Sequence, residues 1–226
     1  MYGYKDLPRL MSRITGDEKH GPSATSTLDV LWTLYDRVLE VTPESLAAPE
    51  RDRFILSKGH GPMAYYAVLA AKGFFPCNWL DGFGGFDSPL GLHPDRNLVP
   101  GVEFASGSLG HGLPVALGIA LALELGAVPA ARVFVLLGDA ELEEGSNHEA
   151  IALAGRLAIG RLTAIVIDNR SASHGWPGGI GQRFASEGWE VLTVNGHDRA
   201  VLAEILAGGS GKRPRAVVAR TRAKEG

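Results

Sequence analysis

Apolar positions recur along this chain with two different rhythms, and the rhythms predict alternating helices and strands. From Thr27 to Glu40 ("TLDVLWTLYDRVLE") Leu28, Leu31, Leu34, Tyr35 and Val38 share one helical face, with Ser26 or Thr27 placed to cap it. Pro43 and Pro49 then break the pattern. A short apolar run, "RFILS" at 53–57, precedes a second helix expected over Pro62 to Lys72, with Gly73 as its terminating glycine. Between Phe74 and Phe104 no period holds, which predicts a long irregular loop. Regularity returns after Gly101. Leu113 to Leu125 reads as a helix, apolar nearly all round and therefore buried, and Glu144 to Ile159 and Arg199 to Ala207 read as further helices. Arg132 to Leu137, Leu162 to Asp168, Glu190 to Val194 and Arg215 to Arg220 read as strands. Continuous apolar strands alternating with helices predict an α/β fold with a parallel sheet. Ligands of such sheets bind outside the carboxyl ends of the strands. The two strongest strands end at Gly138-Asp139 and at Asp168-Asn169, so chemistry is expected there.

Composition narrows the class. A chain of 226 residues with 45% hydrophobic and 21% charged residues is globular rather than disordered, and one domain is expected over 1–226. A formal net charge of −3 argues against a general nucleic-acid binder. The single cysteine, Cys77, excludes an intrachain disulfide and points to a reducing, cytoplasmic setting. The first residues carry Lys5, Asp6, Arg9 and Arg13 without an apolar segment, so no targeting sequence is expected. The most apolar window, Leu113 to Leu137, is broken by Pro114, Glu124, Pro129 and Arg132, which argues against a membrane span.

The acidic stretch "GDAELEEGSNHEA" (138–150) follows the first of the two strands, and several readings of it fail. As a calcium loop it has Glu144 in place of the turn glycine and Ala150 in place of the final bidentate acid. As a zinc helix it has Ala152 where a second histidine belongs after His148. "GSLGHG" (107–112) lacks dinucleotide-binding spacing, and neither a phosphate-loop Lys-Ser/Thr pair nor a Gly-x-Ser-x-Gly elbow occurs. Gly138-Asp139 and Asn169, thirty positions apart with a helix between them, remain. On adjacent parallel strands they would present a carboxylate and an amide oxygen at one sheet edge, a hard-oxygen set suited to Mg²⁺ and phosphate. On residue chemistry alone, an N-cap Asp and a turn Asn explain the same letters and stand ahead of a metal site.

The spacing Gly-Asp, about thirty residues, Asn also resembles the cofactor motif of thiamine-diphosphate enzymes. "DRFILSKGHG" (52–61), "GLHPD" (91–95), "GVEFASGSLGHGLPVALGIALALE" (101–124), "GDAELEEGSNHEAIALAGRLAIGRLTAIVIDN" (138–169) and "FASEGWEVLTVNGHD" (184–198) resemble the transketolase family in the family's order, over nearly the whole chain. The resemblance implies a three-layer parallel-sheet thiamine-diphosphate-binding fold. It implies Mg²⁺, with Ca²⁺ or Mn²⁺ able to substitute, on Asp139, Asn169 and the Ser171 carbonyl. His60 would contact the cofactor diphosphate, with Gly138 supporting it through its backbone, and Gly107 and Leu109 would lie against the aminopyrimidine ring. His20 and His93 match family histidines at the substrate end. Taken singly, His20 and His93 read as ordinary satisfied imidazoles, and His60 does not. Glu144 and Glu149 fall on two family glutamates at a dimer interface, where buried neighbouring carboxylates can share a proton. Glu141 and Glu143 have no counterpart and are expected at the surface.

Three departures bear on function. Ala140 replaces the second glycine of the usual Gly-Asp-Gly. The segment "RSASHGWPGGIGQR" (170–183), at the expected mouth of the site, is shorter than is typical and has its own His174 and Trp176. A domain carrying the glutamate that activates the aminopyrimidine is also missing from these residues. The resemblance therefore implies the N-terminal subunit of a split transketolase-like enzyme, inactive alone. A pyrimidine-domain partner chain would complete it as a heterodimer or heterotetramer, and a two-carbon ketol or acyl unit would pass from a ketose or 2-oxo acid to an acceptor carbonyl. A specialised 2-oxo acid enzyme, or a cofactor-binding homologue that no longer turns over, stand as alternatives.

Overall fold

The computed structural model describes residues 2–15, 21–59, 62–126, 128, 131–208 and 211–222. Five strands, β1 (Arg53–Leu56), β2 (Val133–Gly138), β3 (Leu162–Asp168), β4 (Glu190–Asn195) and β5 (Arg215–Arg220), form one parallel sheet in the order β1-β2-β3-β5-β4. Among the described residues seven α-helices accompany it: α1 (Leu7–Met11), α2 (Gly21–Thr33), α3 (Met63–Ala71), α4 (Gly112–Leu125), α5 (Gly145–Arg156), α6 (Gly179–Ala185) and α7 (Arg199–Ala207).

The alternation of side chains along each strand assigns the layers. Val133, Val135 and Leu137 of β2 and Ala164 and Val166 of β3 pack with Leu113 of α4, Ile151 of α5 and Phe184 of α6. Phe134, Leu136, Ile165 and Ile167, from the same strands, face the other way, onto Leu31 of α2, Leu69 of α3 and Leu202 of α7. Two covered faces explain why β2 is buried at all six positions. The expected α/β class, parallel sheet and three layers are all present.

Several boundaries differ from the sequence reading. The first long helix begins at Gly21, not at Ser26 or Thr27; Thr27 lies inside it, its hydroxyl donating to the Ala24 carbonyl at 2.9 Å. The opening turns are small residues without period, and Pro22 is tolerated there because the first turn needs no intrahelical N–H. Beyond Thr33 the chain continues as a π-helical turn over Leu34–Val38. The run 53–57 is an edge strand, and α1 and α6 were not expected. Helix α4 is buried on one face only, through Leu113, Ala116, Leu117 and Ala120, whereas Val115 and Leu125 on its outer face are exposed. The stretch 74–104 holds no α-helix or strand, yet Leu80, Leu90 and Val99 pin it to the core and Tyr66 donates to the Gly91 carbonyl.

At the amino ends of the strands, away from the predicted chemistry, buried Asp52 pairs with Arg132 and accepts the backbone N–H groups of Glu40 and Arg132, both at 2.9 Å. No helix among the described residues is long and apolar enough to cross a membrane.

Candidate active site

Strands β2 and β3 pair in parallel with Gly138 opposite Ile167, and the Asp139 N–H donates to the Ile167 carbonyl at 3.1 Å. This register brings Asp139 and Asn169 out at the same carboxyl edge. Asp139 is buried, and its carboxylate accepts from the N–H of Ala140 (2.9 Å) and from both the N–H (2.7 Å) and the hydroxyl of Ser171. Arg170 makes the reversal that returns Ser171 to Asp139, with φ 58. A non-glycine residue in that region is uncommon and such residues concentrate at functional sites. Asn169 is also buried, and its Oδ1 has no hydrogen-bond partner. An orphaned amide oxygen at the same sheet edge as a buried carboxylate fits a hard divalent cation. Among the described residues no three His, Cys, Asp or Glu side chains gather as a metal cluster. The expected set needs only one acid, with amide and main-chain oxygens completing it.

Glu141, expected at the surface, is buried and only 2% exposed. Its Oε1 accepts from the Ser57 hydroxyl and from the Gly110 N–H (3.2 Å), and its Oε2 from the Gly138 N–H (3.2 Å). Burial pushes its carboxyl above the ordinary range, and those hydrogen bonds oppose the shift in part. The Gly138 amide is thus committed to Glu141, which limits what its backbone offers an anion. The burial of Glu141 comes from the tight turn over Ala140–Glu143, which folds the side chain back across the end of β2. Its partner Ser57 lies 84 residues earlier, a pairing that no local sequence signal carries.

Glu144 and Glu149, expected as carboxylates buried at a dimer interface, are exposed in the single chain. Glu144 occupies the N-cap position of α5 without a side-chain capping bond, and Glu149 lies on the outer side of the helix. Glu143 is half-buried and accepts the N–H of His174.

His93 stands against two glycines. A Cβ on Gly107 would lie 3.1 Å from His93 Cγ, and one on Gly59 would lie 3.1 Å from both His93 Cδ2 and the Gly107 nitrogen. Gly107 has φ +123, a conformation open to glycine. The loop after β1, the loop around residue 93 and the 107–112 turn therefore meet. Leu109 is 47% exposed, so its side chain is available to a ligand or partner. His20 and His60 lie outside the described residues.

The 170–183 segment forms the rim. A cleft of about 400 Å³ opens between it and the strand ends, lined in part by Asp139, Asp168, Arg170, His174, Trp176 and Arg220. The Trp176 ring lies 4.7 Å from the His148 ring, and the Arg183 guanidinium sits 5.7 Å from its centroid.

Residues 15–223 match the family described as transketolase, thiamine diphosphate binding domain. A protein named ferredoxin fas2, from Rhodococcoides fascians, is 56% identical over 96% of this chain and 72% of its own length. An apulose-4-phosphate transketolase subunit of Actinobacillus succinogenes is 37% identical over 89% of this chain and 75% of its own. Among solved structures, a transketolase from Pichia stipitis superposes with a TM-score of 0.76 at 25% identity, covering 90% of this chain but 36% of that one. The matched residues span the sheet, the Asp139–Asn169 edge and the glycine-walled loops together, and the chain belongs to the transketolase thiamine-diphosphate-binding domain family.

Proposed function

We propose that this chain is the diphosphate-binding subunit of a two-chain transketolase-like transferase, holding thiamine diphosphate through a divalent cation at the carboxyl ends of β2 and β3. The observation that carries the reading is the buried, unpartnered Oδ1 of Asn169 at the same strand edge as the buried Asp139 carboxylate. Leaving such an oxygen unsatisfied costs about 1–3 kcal/mol, and Mg²⁺ held jointly by Asp139, Asn169 and the Ser171 carbonyl would remove that cost. His60 would meet the diphosphate, and Gly107 and Leu109 the aminopyrimidine ring. When bound, thiamine diphosphate supplies a nucleophilic carbon and an electron sink. This chain's residues bind and orient the substrate and exclude water around it. In this reading His93, whose ring packs against Gly59 and Gly107, would serve in proton transfer with substrate oxygens, as would His20 from the substrate end. Arg170, His174 and Arg220 on the rim suit an anionic donor, either a ketose phosphate or a 2-oxo acid.

A second chain would complete the site. The Actinobacillus relative is named as one subunit of its transketolase, and this chain covers about a third of the solved transketolase. Glu149, Leu153 and Leu157 form an exposed stripe along α5, with Val115 and Leu125 exposed on neighbouring α4. Apolar patches of this kind mark interaction surfaces. A partner on this face would desolvate Glu144 and Glu149, restoring the interface role the family resemblance implies. The word ferredoxin in the Rhodococcoides relative's name finds no support in this chain's residues: iron–sulfur clusters are held by several thiolates, and these 226 residues contain one cysteine.

The test is calorimetric titration of thiamine diphosphate with Mg²⁺ into the chain co-purified with its partner, followed by a screen of ketose phosphate and 2-oxo acid donors. Saturable binding that Asn169→Ala abolishes is expected. Absence of binding in the assembled complex would sink the cofactor reading, and turnover by the single chain would sink the two-chain reading.

A further inference from the structure

The Glu141 carboxylate bonds to three backbone segments that converge on the proposed cofactor site. Ser57 opens the loop that leads to Gly59 and His60, Gly110 belongs to the turn after Gly107, and Gly138 is the residue before Asp139. These partners lie 84, 31 and 3 positions from Glu141. Further bonds extend the tie. The Ser57 hydroxyl oxygen accepts the Gly112 N–H at 3.1 Å, attaching the start of α4, and the Glu141 carbonyl accepts from Asn147 Nδ2 at 2.6 Å, attaching α5. The surroundings leave little room for adjustment. A Cβ on Gly112 would fall 2.2 Å from Ser57 Oγ, and one on Gly110, where φ is +80, would fall 2.5 Å from Glu144 Cβ.

We infer that Glu141 is a positioning residue for the cofactor site, fixing the loop after β1, the 107–112 turn and the Asp139 strand end relative to one another. The placement decides this against a purely packing role. An apolar side chain of similar size could fill the space but could not accept two buried amides and a hydroxyl, and each unsatisfied donor costs stability locally. The three segments would then move independently, and a ligand bound across them would lose its pre-set geometry. The inference rests on the cofactor reading given above.

The experiment compares wild type, Glu141→Ala and Glu141→Gln. Residue-resolved amide exchange on the ligand-free chain is expected to accelerate at Gly110, Gly112 and Gly138 in Glu141→Ala by roughly tenfold or more, while β3 and β5 keep wild-type protection. Glu141→Gln retains the volume and one acceptor oxygen. With that oxygen toward Ser57 and Gly110, only Gly138 should accelerate, a graded pattern that general destabilisation would not produce. In the complex with the partner chain, affinity for thiamine diphosphate with Mg²⁺ is expected to fall roughly tenfold in Glu141→Ala, with partial rescue by Gln. Should Glu141→Ala fail to fold, Gln and Ser57→Ala carry the comparison; Ser57→Ala should release Gly112. Unchanged or uniformly raised exchange overturns the inference, as does wild-type cofactor affinity in the variants. A wild-type complex that binds no cofactor would instead remove the functional reading beneath it.

Discussion

Replacing Gly112 by alanine would put a methyl group where Ser57 already stands. The added Cβ would lie 2.2 Å from Ser57 Oγ, 2.3 Å from its Cβ and 2.8 Å from its Cα. A rotamer change relieves only the first of these, and the Ser57 backbone is tied by its N–H to the Leu136 carbonyl at 2.9 Å. Either the start of α4 or the end of β1 must move. Overpacking of this kind costs about 1–3 kcal/mol. Separating the Gly112 N–H from Ser57 Oγ leaves a buried donor unsatisfied, adding about 1–3 kcal/mol. The better helix propensity of alanine offsets at most about 1 kcal/mol, and less at the first helical position. A net loss of about 1–6 kcal/mol follows, which for a chain of this size lowers Tm by at least about 2 °C. Thermal unfolding followed by circular dichroism measures it directly. Combining the change with Ser57→Gly, which removes both clashing side-chain atoms, should give a loss smaller than the sum of the two single changes. A Gly112→Ala protein melting within about 1 °C of wild type would refute the close approach from which these magnitudes are worked.

Four further outcomes are expected. Asn169→Ala should leave the ligand-free chain no less stable than wild type, since it removes a buried oxygen whose lack of a partner costs about 1–3 kcal/mol, yet weaken Mg²⁺-dependent cofactor binding by at least about tenfold; urea titration and calorimetry separate the two effects. Gly155→Ala should destabilise by about 2–4 kcal/mol in chemical denaturation, because its Cβ would lie 1.8 Å from the Glu187 carbonyl oxygen, with unchanged cofactor affinity in the folded protein. Asp52→Ala leaves the largely buried Arg132 without its carboxylate partner and should cost about 3–5 kcal/mol in the same assay. Glu144→Gln and Glu149→Gln should each keep single-chain stability within about 0.5 kcal/mol. Both should weaken association with the partner in sedimentation velocity.

The parallel strands were legible because burial on both faces leaves an unbroken apolar run, as in "VFVLLG" and "LTAIVID", that little else in a globular chain produces. Asp139 and Asn169 were legible for the same reason, since they mark where two such runs stop. Helix α2 was legible only from its middle onward, because Gly21 to Ser26 are small and carry no period. Helix α6 was hidden by glycines at 178, 179 and 181. Glu141 was misassigned for a physical reason. Local sequence treats Glu141, Glu144 and Glu149 alike, as charges that water should solvate. Their fates depend on donors from Ser57 and Gly110 in one case and on what covers α5 in the others. Tertiary hydrogen bonding separates residues that local chemistry cannot.

The wall around His93 has a consequence for how this chain can diversify. Its surface near the expected cofactor is main chain: a Cβ on Gly59 or Gly107 would crowd the His93 ring at 3.1 Å, and Gly107 adopts a φ of +123 besides. Almost any substitution there is a loss, so natural variation has few viable letters to sample on that side. The rim beside the strand ends presents side chains such as His174 and Trp176, which belong to the 170–183 segment and not to the sheet. New substrate preferences are therefore expected to arise by changes on the rim, while the glycine wall stays constant and serves as the fixed reference against which those changes are read.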